Sequence, residues 1–438
     1  MPFIKKSLTL GLVLCIWNIC ASEYQNAVMV VGYNNTRVYD VKKIRTCAAE
    51  YFGAKTILCK KSPTAADFAA ADYVIDTGLE AKQELADNVI NQCNALHLNI
   101  IAVLPFSDQG TQLGAVLAQT LQLPGANPEQ VSAGLDKNLF RSLEAKAENK
   151  PASYKPIVAI RINSKEELQN LLMKTPSGLF IKPCQEGNNR GCLSVSSLED
   201  CDYAWSMVEK YKAGGIMVEE LVSGAQEYSC DAIGSVAWLT LKDTAIYASG
   251  ARGEIQYIIP APESENETAR KLAVGRFMAE LCGAFGGAYH NEIFVKPDSI
   301  MAVEPNLRPA GGRIWDAAQM AFADFNPWLT WIKSRAGESI ADVHLTRNYY
   351  VGMRLIEVTR SGSIASLPDL QTKIYGTSEV VELVWLKKVG DTIITDIHDN
   401  ADYVGYILVR NKDNAAELSA ALKEITADLA HRINVIEN

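Results

Sequence analysis

Two glutamates carry the first chemistry in the chain. Glu292 lies in the run AYHNEIFV and Glu304 in AVEPN, and Lys296-Pro297-Asp298 between them has the composition of a turn. A hairpin around that turn would bring the two carboxylates to neighbouring positions. Asn306, two residues beyond Glu304, shares its strand face. Two carboxylates and an amide oxygen are hard donors suited to Mg²⁺ (or Mn²⁺). Arg308, two further on, faces the same way and suits phosphate oxygens. His290 shares the face of Glu292 and either lines such a site or is a satisfied core histidine. An edge hairpin with solvated charges has the same pattern.

The cations follow a similar logic. Lys182 is the only charge in GLFIKP, so it sits at a site or extends its ammonium to the surface. Behind it, Gln185 to Gly191 form a polar loop containing Glu186, Gly187, Arg190 and Gly191, whose backbone N–H groups could cover phosphates. The loop lacks a Gly-Lys-Ser ending and is not a P-loop; a plain hairpin turn would look alike. The strand Met217 to Val222, with Glu219, Glu220 and Leu221, leads to Gly224 and Glu227. Such a linker could offer backbone groups to an adenine edge, and Glu227 could accept from ribose hydroxyls. A half-buried strand with polar ends is the alternative.

These residues need a scaffold. The 438 residues allow two to four domains at roughly 100–200 residues each. Hydrophobic residues at 48% and charged residues at 21% exclude disorder, collagen and coiled coil. A net charge of −9 argues against nucleic-acid binding, and no segment after the N-terminus is apolar enough for stable membrane insertion. Lys5 and Lys6, the apolar run Ser7 to Ile19 and the small residues Cys20, Ala21 and Ser22 have the layout of a secretory signal peptide over 1–22. That layout predicts export, whereas an ATP-using protein with a non-functional leader would remain in the cytoplasm. Eight scattered cysteines remain after the leader, without zinc-ligand spacing; most read as buried hydrophobes, and disulfides stay open.

Strands alternate with helices from 26 to 122, which predicts a parallel α/β domain over 23–125. A long helix is predicted over 129–148, containing Asp136-Lys137. Antiparallel strands, a helix at 264–283 and the glutamate hairpin suggest a second unit over 126–340, and mixed strands with a helix at 413–432 suggest a third over 341–438.

In this order the pieces resemble the ATP-grasp superfamily: Asp136-Lys137, Ile181-Lys182-Pro183, Arg190-Gly191, Glu219 to Val222, Gly224 to Glu227, Glu292, then Glu304-Pro-Asn306-Leu-Arg308-Pro-Ala-Gly311-Gly312. The resemblance implies an α/β (α+β) ATP-grasp fold: an N-terminal βαβ domain, a split central domain and a small C-terminal domain. It implies that Lys137 and Lys182 contact ATP phosphates, that 186–191 is the loop over them, and that Glu219 to Val222 and Glu227 hold adenosine. Glu292, Glu304 and Asn306 match the Mg²⁺ ligands. Arg308, with Glu304 and Lys182, matches the residues around the reacting phosphate. The reaction implied is ATP-dependent joining of a carboxylate to an amine through an acyl phosphate, with ADP and phosphate released.

Among branches, biotin carboxylases continue past the E-x-N-x-R ending with a stretch absent here, and D-alanine–D-alanine ligases are shorter. The chain is most similar to L-amino-acid ligases, which share Arg-x-x-Gly-Gly and an acid at the position of Glu254. That similarity implies a substrate site of Glu254, Tyr257, His290, Arg308, Gly311 and Gly312. Tyr257 stands where those ligases carry His, and Gln256 where they carry Gly. The implied partners are small molecules, an amino acid or similar carboxylate plus an amine, in a possible homodimer. The alternatives are a non-catalytic ATP-binding protein of the same fold and a carboxylase-type enzyme.

Overall fold

The computed structural model describes residues 24–33, 37–187, 190–247, 252–284, 286–398 and 400–436. The predicted leader and Asn188-Asn189 of the polar loop lie outside them. No helix among the described residues is long and apolar enough to cross a membrane.

The first sheet has four parallel strands in the order Tyr73–Asp76, Lys55–Lys60, Gln25–Val31, Leu98–Pro105. Helices Val38–Phe52, Ala65–Ala70 and Gln83–Ala95 connect them, and Gly110–Thr120 follows the last strand. Ala27 to Val31 are completely buried, as expected of a central strand covered on both faces. Asp108 lies just beyond the carboxyl end of the last of these strands.

A second, antiparallel sheet has the order Ala159–Ile162, Ile216–Glu220, Leu179–Pro183, Leu193–Val195, and contributes Lys182 and Glu219. A third, also antiparallel, holds nine strands. It runs from the hairpin Ile300–Glu304 and Ala288–Val295 through Gln226–Ile233, Val236–Ile246 and Arg252–Ile259. It then continues into Tyr350–Ile356, Gly405–Asn411, Ser378–Trp385 and Ile374–Tyr375. The pairing of Arg252–Ile259 with Tyr350–Ile356 carries this sheet across residue 340, where a separate C-terminal unit is expected. Helix Ala415–Arg432 packs on the C-terminal strands through Leu418, Leu422, Ile425 and Leu429.

Two local expectations change. The helix predicted over 129–148 begins only at Lys137, after a short 3₁₀ turn at Val131–Gly134. Asp136 caps the helix, its carboxylate accepting the Asn138 and Leu139 N–H groups, so Lys137 starts the first turn. Residues 314–335 form two helices, Ile314–Ala321 and Pro327–Arg335, not anticipated from the sequence. Their Trp315, Trp328 and Trp331 are fully buried and join the core beside Phe106 of the first domain.

Candidate active site

The hairpin forms with one irregularity that matters. Ile293 pairs with Ala302, but the next residue, Glu292, pairs with Glu304, so Val303 bulges out of register. The bulge sets the two carboxylates directly opposite each other. Asn306 is then fixed on both sides: its N–H donates to Asn291 Oδ1 (3.0 Å), and its carbonyl accepts from the His290 N–H (2.8 Å). Asn291 is completely buried and anchored to Gly275 O, so it holds the exit of the hairpin from beneath.

Three lysines meet this carboxylate row or flank it. Lys137 Nζ lies 3.0 Å from Glu304 Oε2 and donates to Glu186 O at 2.7 Å, joining the polar loop to the hairpin. Burial works against its charge, but Glu304 more than offsets this and raises its pKa to about 12. Lys182 is buried and lies 2.7 Å from Glu219 Oε2, while Arg141 holds Glu219 Oε1 at 2.8 Å. The Glu219 side chain, expected on the adenine linker, is therefore buried between Lys182 and Arg141 and holds Lys182 in place. Glu220, Leu221 and Val222 follow it half-buried, and the Glu220 and Leu221 N–H groups donate to Val158 O and Gly178 O.

The third lysine, Lys242, is not among the residues expected from the sequence. It is completely buried, with Nζ 2.5 Å from Glu292 Oε1, 2.8 Å from Glu254 Oε2 and 3.4 Å from His290 Nε2. His290 Nδ1 lies 2.6 Å from Asp231, which also accepts from Ser229 and Thr240. Burial lowers the His290 pKa, but the Asp231 charge prevails and raises it to about 8. Glu292 is held well below the usual carboxylate range: burial disfavours its charge, and Lys242 and His290 overcome that. Glu227, bonded to Thr244 at 2.5 Å but farther from Lys242, is pushed up to about 7 by burial. A lone Lys closing an apolar run, VAWLTLK, is the signal that also marks Lys182.

The L-amino acid ligase of Bacillus licheniformis superposes with a TM-score of 0.71 at 17% identity, covering 94% of this chain and 99% of that one. Phosphoribosylglycinamide synthetase of Anaerococcus prevotii gives a TM-score of 0.64 at 14% identity, with 94% and 100% covered. N5-carboxyaminoimidazole synthetase of Staphylococcus aureus, solved with ADP, gives 0.61 at 12%, with 92% and 97% covered. The chain has the ATP-grasp fold. In sequence, D-alanine–D-alanine ligase B of Chromobacterium violaceum is 26% identical over 215 residues, 47% of this chain and 67% of that protein. No known family profile matches the chain.

In this ATP-grasp fold, Arg308 points from the hairpin exit to the first domain. Its Nε lies 2.6 Å from Asp108, and NH2 donates to Asn306 Oδ1 at 3.3 Å. Glu254 is partly exposed beside Lys242. Tyr257, expected at the substrate, is buried with its hydroxyl donating to Gly312 O at 2.7 Å. It supports the Gly311-Gly312 loop from behind, because its only polar atom is used there. Gly312 has φ +55°, a conformation that disfavours other side chains. Gly191 likewise has φ +70°, and a Cβ there would meet Pro183 at 3.1 Å. Glu186 and Arg190 pair at 2.7 Å across the loop, with Gly187 between them.

Among the described residues no group of three or more His, Cys, Asp or Glu converges as a metal cluster. Glu292, Glu304 and Asn306 offer two carboxylates and one amide oxygen instead. That set fits Mg²⁺, which takes few protein ligands and keeps positions for water and phosphate oxygens. All eight cysteines among the described residues are free thiols.

Proposed function

We propose that this chain is an ATP- and Mg²⁺-dependent ligase that joins the carboxylate of an amino acid to an amine through an acyl phosphate. The observation that carries the reading is the row of paired charges along one cleft: Lys137 with Glu304, Lys242 with Glu292 and Glu254, Lys182 with Glu219. A polyphosphate carrying a divalent cation can open such pairs, its oxygens taking the lysines and its metal the carboxylates.

In this reading Lys137, Lys182 and Lys242 hold phosphate oxygens. Glu186 to Gly191 cover them and exclude water, protecting the acyl phosphate from hydrolysis. Glu227 accepts from the ribose, and the strand end at Glu220 to Val222 borders adenine. Mg²⁺ held by Glu292, Glu304 and Asn306 would offset charge on the transferring phosphoryl group. Arg308 stands beside the reacting phosphate and acyl oxygens, with Asp108 fixing its orientation. Glu254 faces the amino group of the first substrate with His290 behind it, and Gly311-Gly312 border a carboxyl group.

The chemistry balances in two steps. A carboxylate oxygen attacks the γ-phosphorus and ADP leaves; the amine nitrogen then attacks the acyl carbon, and phosphate leaves with the original carboxylate oxygen. Phosphorylation is required because a free carboxylate has no adequate leaving group. Incubation with Mg-ATP and pairs of amino acids, followed by mass detection, tests the reading. A condensed product accompanied by ADP is expected. ATP binding without amino-acid-dependent ADP would assign a binding protein, and bicarbonate-dependent ADP a carboxylase-type enzyme.

A further inference from the structure

Arg335 closes helix Pro327–Arg335 and is 4% exposed. The other two buried arginines each have acids: Arg37 has Asp40, and Arg141 has Glu144 and Glu219. Among the described residues Arg335 has no acidic partner, and its Nε and NH1 have no hydrogen-bond partner. A buried cation without a counter-charge is strongly unfavourable, and the helix carbonyls at this end compensate only a small part.

The surroundings are shaped for this group. The guanidinium lies against the backbone of Gly287, where an added Cβ would come within 2.1 Å of NH2 and 2.9 Å of Cζ. Gly286 beside it is exposed and has φ +68°, and a Cβ there would meet no atom within 4 Å, so the turn is open on one side. One helical turn before Arg335, Trp331 has an indole N–H that is also buried and unpartnered. The unpartnered atoms of this helix end are donors only. Water would satisfy donors but leave the charge; a small anion satisfies both. Burial, with no acid nearby, moves the Arg335 pKa down to about 10.

We propose that Arg335 centres a buried site for a small inorganic anion, of which chloride is the probe. The site is separate from the cleft but lies at the start of strand Ala288–Val295, which carries His290 and Glu292. An anion there would stabilise the end of the element that positions these cleft residues.

The test is thermal unfolding of the full chain at constant ionic strength, with sodium chloride replacing sodium gluconate. The expected result is a saturable rise in Tm of roughly 2–5 °C, lost in Arg335→Met. Crystals grown in bromide should show an anomalous peak at hydrogen-bond distance from Nε and NH1. An equal chloride response in both proteins, no response, or a water without anomalous signal would each overturn the site. If Arg335→Met does not fold, the bromide crystal of the unaltered chain decides.

Discussion

Two of the charged networks buried in this molecule are built in opposite ways. Where the first domain meets the helices after the hairpin, the acids are deepest. Asp40 is completely buried between Arg37 (2.9 Å) and Trp328 Nε1 (2.9 Å), and Asp316 binds Lys43 and Arg313. Arg313 reaches on to Glu382 at 3.0 Å, and Arg37 also donates to Pro309 O at 3.1 Å. In the cleft the lysines are deepest. Lys242 is completely buried and Lys182 nearly so, while Glu292, Glu304 and Glu254 keep 18%, 26% and 30% of their side chains accessible, and only Glu219 beside Lys182 is as buried as its lysine. A network closed around its acids joins domains. A network of buried lysines with accessible acids can exchange partners with a metal-bound polyanion.

Substitutions can break this contrast, and the largest effect is expected at Glu304. Glu304→Gln keeps the shape but removes a metal-ligand charge, so turnover should fall on the order of 10²–10³-fold with little change in Tm. Near-normal turnover would remove Glu304 from the metal site. At the joint the outcome should invert. Asp40→Ala leaves Arg37 buried without an acid, costing roughly 3–5 kcal/mol, which urea unfolding should read while the KM for ATP stays close to the parent value. An unchanged unfolding midpoint would show that this network is not structural.

Smaller effects sharpen the boundary between the two networks. Tyr257→Phe removes one buried hydrogen bond to Gly312 O. The KM of the carboxyl-bearing substrate should rise about 10-fold, with kcat within about twofold. Equal losses in both would place Tyr257 in the chemistry. The smallest effect concerns Glu227. Its folded pKa of about 7 lies above the ordinary 4.5, so its contribution to stability is full below pH 4.5 and is lost as pH rises through 7. Glu227→Gln should flatten the pH dependence of Tm across that window, and an unchanged slope would show that Glu227 is not the buried acid responsible.

Parts of this arrangement were legible in the sequence because they obey local rules. Strands buried on both faces must be apolar throughout, which made the parallel sheet readable from runs such as NAVMVV. The Lys-Pro-Asp turn placed Glu292 near Glu304, although their direct pairing depends on a bulge at Val303 that composition does not mark. Lys242 carried the same signal as Lys182 but closes its apolar run, where a charge looks like a strand end. The contacts of Arg308 with Asp108 and of Arg37 with Pro309 span 200 and 272 residues, so no local pattern could anticipate them. Helix Ile314–Ala321 carries one apolar stripe, Ile314, Ala317, Ala318 and Ala321, but is only two turns long, and Pro327–Arg335 is buried on several sides at once and leaves no single stripe.

The central claim is that a carboxylate is activated by phosphorylation in the cleft of Lys137, Lys182, Lys242 and Arg308. It is tested most directly with an amino-acid substrate labelled with ¹⁸O in both carboxylate oxygens. The account predicts that released phosphate carries one ¹⁸O for each molecule of condensed product. Unlabelled phosphate, with both labels kept in the product, would contradict it.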